Sequence, residues 1–251
     1  MSATNSLTLT SNIQNSLLEL SSGSYFSFYD INLSQEEIDI LNQVKFDFNK
    51  SRQFDSFNYN TSLSQDKLKS NLINFFSYKL LDRSYATELA GIIENIYALT
   101  IYTNKPNQYS MLTVNIQIHG LTQSWHTDDI DSSYKTCGEY KNFITLIGPV
   151  TSFYNTSDEN IIKEIQDIYF NQSEHQDSLS YLANNGVDNH LIQYSQVVKP
   201  LLGQGAIFGM DAVHSGPSEY IGDRLTVSIL TITNDDIEYD GHSDHNWLLE
   251  L

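Results

Sequence analysis

His126 and Asp128 stand one residue apart in "SWHTDDID" (124–131), just after a stretch that alternates apolar and polar residues. On an extended chain, residues i and i+2 project from the same face. An imidazole and a carboxylate at that spacing can therefore reach one metal ion without bending the backbone. The same His-x-Asp spacing recurs at His175/Asp177 and His242/Asp244. With 31 acidic residues in the chain, spacing alone discriminates little, and context has to choose. His175 lies in a polar stretch and His242 in the tail, where solvated surface positions are expected. His126/Asp128 is the pair that follows a strand pattern.

Two protein ligands hold a divalent ion weakly, so a third is expected from elsewhere. His214 is the best candidate, because it closes the apolar run "GAIFGMDAV" (205–213) and precedes a Ser-Gly-Pro turn. Further on comes "RLTVSIL" (224–230), where Arg224, Thr226 and Ser228 share one face and Leu225, Val227 and Ile229 the other. An arginine on the polar face of a core strand is costly to bury without an anion, so an acidic group is expected to meet Arg224. Two histidines and one carboxylate make the facial triad of non-haem Fe(II) chemistry, with coordination positions left open for a cosubstrate and dioxygen. Arginine's planar fork suits a distal carboxylate of such a cosubstrate, and Thr226 adds a hydroxyl donor.

The elements that must position these residues come in two blocks. The first 30 or so residues are polar and Ser/Asn-rich, consistent with a mobile arm or an edge strand. "LSQEEIDILNQVKFDF" (33–48) then starts a helix, with Ser34 and Glu37 at capping-box spacing and Ile38, Leu41, Val44 and Phe48 at helical intervals. Further helices are predicted over 64–80, on Leu68, Leu72, Phe75, Phe76 and Leu80, and over 84–100, on Leu89, Ile92, Ile93, Ile96 and Leu99. After Pro106 the period changes to two. In "MLTVNIQIH" (111–119), Leu112, Val114, Ile116 and Ile118 oppose Thr113, Asn115, Gln117 and His119. Strands also fit 143–150, 205–214 and 224–233. Helices first and mostly strands afterwards give an α+β class, in which N-terminal helices (1–105) buttress a mainly antiparallel sheet or sandwich built from 106–152 and 197–235. The polar segment 153–196, with a short helical pattern in "DENIIKEIQDIYF" (158–170), is expected to be an insertion and a candidate lid.

Bulk composition narrows the partners. A chain of 251 residues with 40% hydrophobic content can bury one sizeable core, so a single domain over 1–251 is expected. The formal charge of −18 opposes a nucleic acid backbone or an anionic membrane surface as partner. The one cysteine, Cys137, excludes an internal disulfide and suits a reducing compartment. With no leader-like start and no long apolar run, a cytoplasmic protein is the expectation.

"VNIQIHGLTQSWHTDD" (114–129) and "VVKPLLGQGAIFGMDAVHSGPSEYIGDRLTVSI" (197–229) resemble the 2-oxoglutarate/Fe(II)-dependent oxygenase superfamily, in its prolyl-hydroxylase-like and phytanoyl-hydroxylase-like branches. The resemblance spans 111–232. It implies a double-stranded β-helix, or jelly roll, in which His126, Asp128 and His214 bind iron and Arg224 binds the far carboxylate of 2-oxoglutarate. Thr226 would assist Arg224, and Asn115 and Gln117 would be cosubstrate ligands on the strand before the metal pair. It also implies O2 as oxidant, succinate and CO2 as products, and hydroxylation or desaturation of a small molecule. Halogenation is disfavoured because Asp128 retains the acid that halogenating members lack. Two departures, the long 153–196 segment and the turn "GPVTSF" (148–153), lie where such enzymes meet their substrates, which weighs against the alternative of a peptidyl (prolyl-type) hydroxylase. A jelly-roll module that binds a metal or a sugar without redox chemistry is the rival from another class. Among the neighbours, Trp125 is expected to pack beside the site, Asp129 and Asp131 to be solvated, His119 to be a hydrogen-bonded core residue, and Asp211 to orient His214 or face water.

Overall fold

The computed structural model describes residues 3–47, 54–60, 67–101, 108–118, 125–128, 138–173, 191–217 and 222–233. Its helices are α1 (Ala3–Ser21), α2 (Gln35–Gln43), α3 (Leu68–Lys79), α4 (Ala86–Ile101) and α5 (Glu159–Ser173). Its strands are β1 (Phe26–Asp30), β2 (Phe54–Asn60), β3 (Gln108–Ile118), β4 (Gly138–Ile147), β5 (Ser152–Tyr154), β6 (Val197–Val198), β7 (Gln204–Phe208), β8 (His214–Ser215) and β9 (Asp223–Thr233). They form an antiparallel six-stranded sheet in the order β1-β7-β4-β9-β3-β2 and an antiparallel three-stranded sheet in the order β6-β5-β8. The class is α+β, as the order of sequence patterns requires.

Both faces of the large sheet are covered, and by different partners. On one face Leu112, Val114 and Ile116 of β3 join Leu225, Val227 and Ile229 of β9, all fully buried against the helices. Each such aliphatic side chain contributes about 1.5–3 kcal/mol on burial. Helix α4 forms the inner layer on this side, since Leu89, Ile92, Ile93, Ile96 and Tyr97 bury almost its whole circumference. Helices α1, α2 and α3 pack around it. Helix α2 starts as its sequence specifies: the Ser34 hydroxyl accepts from the Glu37 backbone N–H while the Glu37 carboxylate accepts from the Ser34 N–H. It stops at Gln43, earlier than the periodicity suggests, because Val44 is extended and buried, and Phe48 lies outside the described residues.

The opposite face of the large sheet looks at the small one. Ala206 and Phe208 of β7 pack there against Phe153 of β5, with Phe26, Phe28 and Phe143 around them. One contact between neighbouring strands depends on a missing side chain. A Cβ at Gly205 would sit 2.5 Å from the Tyr29 ring, whose hydroxyl donates to Asn142 Oδ1 at 3.2 Å.

Two expectations need correction. The first 30 residues are neither a free arm nor only an edge strand, since α1 spans Ala3–Ser21 and buries Ile13 before β1 takes the sheet edge. The run 205–214 is not one strand. The chain leaves β7 at Phe208, turns through Gly209–Ala212, and re-enters as β8 in the other sheet at His214. At the start of the segment 153–196, Phe153 and Tyr154 form part of a buried strand at the centre of the small sheet. No helix among the described residues is long and apolar enough to cross a membrane.

Candidate metal centre

His126 and His214 face each other across an antiparallel bridge. The His126 N–H donates to the His214 carbonyl and the His214 N–H to the His126 carbonyl, both at 2.9 Å. Reciprocal bonding of this kind puts two residues directly opposite with their side chains on one face, so residues 125–128 extend the small sheet beyond β8. The two imidazole centroids lie 4.2 Å apart. Asp128, two residues beyond His126, projects to the same side and brings Oδ1 to 3.8 Å from His214 Nε2. One ligand atom from each of His126, Asp128 and His214 lies within 4.8 Å of the other two. Among the described residues these three are the group of histidine, cysteine and carboxylate side chains able to hold an ion.

The surroundings fix which atoms face inward. His214 Nδ1 lies 2.9 Å from the Ala212 carbonyl, an acceptor, so the proton belongs on Nδ1 and the lone pair on Nε2 points toward Asp128. Asp211, the other candidate for orienting His214, is exposed at the turn, and the Ala212 backbone takes that role. Phe153 stacks on the His214 ring with centroids 5.9 Å apart, and Phe208 approaches it at 4.9 Å. Burial pushes the His214 pKa down and Lys141 adds to this, against opposing pulls from Asp128 and the Ala212 carbonyl, so the ring is held neutral and able to ligate. For Asp128, burial alone pushes the pKa up. Lys141, with Nζ 3.0 Å from Oδ2, and the two imidazoles more than offset that and hold the carboxyl well below the usual range. One carboxylate oxygen thus faces the imidazoles and the other faces an ammonium.

Arg224 is buried on the interior face of β9 and is held from three sides. Its Nε donates to the Pro149 carbonyl at 2.9 Å, Nη1 to Gln117 Oε1 at 2.8 Å and Nη2 to the Thr151 hydroxyl at 3.0 Å. These three acceptors are neutral, so the expected acidic partner is not among them. The Pro149 carbonyl reaches Nε because the turn after β4 packs tightly on β9. At Gly148, φ is +84° and a Cβ would meet the Asp223 carbonyl at 2.5 Å, which leaves glycine as the residue that fits. Thr226 is buried on the same face, opposite Asn115 in the β3 register, as Arg224 is opposite Gln117. Asn115 Oδ1 accepts from the Ser56 hydroxyl at 2.7 Å.

Sequence patterning thus singles out His126, Asp128 and His214, which the fold brings together, whereas the hydrogen bond from Arg224 to Gln117, expected instead as a cosubstrate ligand, comes from the structure alone. It misses Lys141, Thr151, Phe153 and Phe208. For Lys141 a signal exists in the alternation of Lys141, Phe143 and Thr145 along β4, which begins at Gly138, five residues before the strand expected over 143–150. Trp125 packs edge-on against Tyr154, as a residue beside the site should. His175/Asp177, His242/Asp244, His119, Asp129 and Asp131 lie outside the described residues, as do residues 174–190 of the segment 153–196.

No protein-family model matches the chain, and no curated protein matches it in sequence. Among solved structures, it is similar to HygX from Streptomyces hygroscopicus with iron bound, at TM-score 0.45 and 10% identity over 86% of this chain and 85% of that one. It is also similar to a prolyl 4-hydroxylase from Phytophthora capsici, at TM-score 0.46 and 8% identity over 97% and 72% of the two chains. A third is SnoK, a non-haem α-ketoglutarate-dependent carbocyclase of nogalamycin biosynthesis, at TM-score 0.45 and 11% identity over 93% and 91%.

Proposed function

We propose that the protein is an Fe(II)/2-oxoglutarate-dependent oxygenase that oxidises an unactivated C–H bond of a small molecule by hydroxylation or desaturation. The chain from 1 to 251 is one domain in this proposal, and its two facing sheets are the two halves of a double-stranded β-helix. The observation that carries it is the convergence of His126, Asp128 and His214, two imidazole nitrogens and one carboxylate oxygen that all lie within 4.8 Å of one another. That donor set fits Fe(II), and three protein ligands leave positions for a chelating cosubstrate and O2. Fe(II), when bound there, supplies O2 activation coupled to oxidative decarboxylation of 2-oxoglutarate to succinate and CO2.

The side chains of this protein then do the placing. The Ala212 carbonyl keeps His214 in the tautomer that offers Nε2. Lys141 holds Asp128 Oδ2 so that Oδ1 is the oxygen turned toward the imidazoles. Arg224 pairs with the far carboxylate of 2-oxoglutarate, with Thr226 beside it, while Gln117 and Thr151 hold the guanidinium in position. Asn115 is kept as a further cosubstrate contact on β3. Phe153 and Phe208 wall the imidazole and exclude water from one side of the site, which protects a reactive oxidant from side reactions.

The test is the weak visible absorption that arises when Fe(II) and 2-oxoglutarate are added together without oxygen. The band is expected in the wild type and is expected to vanish in His214→Ala. An absent band in wild-type protein that binds Fe(II) favours a non-redox metal site and ends the proposal.

A further inference from the structure

Lys141 has donor capacity beyond the one bond that positions Asp128. It projects from β4 into the space between the two sheets, with its Nζ 6.0 Å from the Phe143 ring centroid and 5.9 Å from that of Phe208. Among the described residues its ammonium makes one hydrogen bond, to Asp128 Oδ2 at 3.0 Å. An ammonium has three donors, so two remain for other acceptors. The side chain keeps 22% of its surface open. A carboxylate that also ligates a divalent ion shares its charge with that ion and neutralises the neighbouring ammonium less. A cation flanked by two phenyl rings is then best satisfied by a second anion.

We propose that Lys141 is a specificity-determining residue that anchors a carboxylate of the organic substrate beside the metal centre, with Phe143 and Phe208 receiving the adjoining apolar part. This inference rests on the oxygenase assignment and names the substrate class for that site. It runs against the bulk charge of −18, which by itself would suggest a cationic substrate. Local charge outweighs the total near the metal ligands: Lys141 contacts Asp128, and both Lys141 and Arg224 lie against the Phe143 ring. A carboxylate at Lys141 could also be the cosubstrate's own, and the experiment separates the two sources.

The probes are linear monocarboxylates from acetate to 4-phenylbutanoate, each paired with its neutral primary amide. They are titrated anaerobically into protein loaded with Fe(II) and 2-oxoglutarate while perturbation of the visible band and calorimetric heat are followed. The expected result is a roughly tenfold to hundredfold preference for carboxylate over amide in the wild type, the range of a charged hydrogen bond. The preference is lost in Lys141→Met and retained in Lys141→Arg; because Lys141 also positions Asp128, 2-oxoglutarate is titrated into each variant and the preference is read as the carboxylate-to-amide ratio within that variant. Retention by the arginine variant separates loss of charge from misfolding. No carboxylate preference anywhere in the series overturns the proposal. So does a Lys141→Met protein whose loss falls on 2-oxoglutarate instead, because the anchored carboxylate is then the cosubstrate's. Absence of the Fe(II)/2-oxoglutarate band in the wild type would sink the oxygenase assignment itself, a different failure seen before any probe is added.

Discussion

Gln117→Glu separates the folding role of Arg224 from its binding role. Gln117 Oε1 already accepts from Arg224 Nη1 at 2.8 Å, and glutamate is nearly isosteric, so the substitution turns a neutral acceptor into an anion without moving atoms. For folding, a hydrogen bond to an ionised acceptor gains about 1 kcal/mol over one to an amide. Desolvation of the half-buried carboxylate offsets part of that gain. Net stability should change by less than about 1 kcal/mol, a shift within roughly 4 °C in Tm for a chain of this size. For binding, the sign is unambiguous. If the far carboxylate of 2-oxoglutarate shares the Arg224 fork with a glutamate at roughly 5 Å, two like charges at an effective dielectric of about 20 repel by about 3 kcal/mol. That corresponds to a loss of roughly a hundredfold in affinity. The assay is an anaerobic titration of Fe(II)-loaded protein with 2-oxoglutarate, followed by the visible band, beside thermal unfolding of the same samples. Gln117→Leu, which removes the acceptor without adding charge, should lose less than about tenfold. A folded Gln117→Glu protein that binds 2-oxoglutarate as the wild type does would refute the placement of that carboxylate on Arg224.

Two further outcomes test the scaffold around the site. Gly205→Ala should cost about 1–3 kcal/mol in urea unfolding, because the new methyl overlaps the buried Tyr29 ring. In a Tyr29→Leu background, where the ring is gone, the same change should cost little, and an equal cost in both backgrounds would discount the contact. In chelator-treated protein, stability should fall as pH drops from about 7 to 5, since the His214 pKa is lowered in the folded state and the unfolded chain takes up that proton first. A second loss should follow below pH about 4, because the Asp128 pKa is also lowered and its stabilisation is present only above the unfolded value. Denaturant midpoints across this range check both limbs, and His214→Gln should flatten the upper one.

The sequence by itself determined what local chemistry can encode. Alternation along 111–118 and 224–230 set which side chains share a face, because the pleat repeats every two residues whatever the strand pairs with. Ser34 and Glu37 set the start of α2, because a capping box closes within one turn. His126 and Asp128 could be recognised as a pair because their geometry is settled within three residues. Tertiary structure decided everything that depends on which strand lies beside which. His214 joins the pair through two backbone hydrogen bonds to His126, formed only because the chain crosses from β7 to the other sheet at Gly209–Ala212. Lys141 meets Asp128 only because β4 runs beneath the segment that carries the aspartate, and Thr151 meets Arg224 only because a tight glycine turn folds the end of β4 onto β9. Burial on both faces of β9, which makes a polar row as enclosed as an apolar one, likewise came from the second sheet. A strand's own residues report its period, and it takes a neighbouring layer to decide whether a polar face meets water or lines a site.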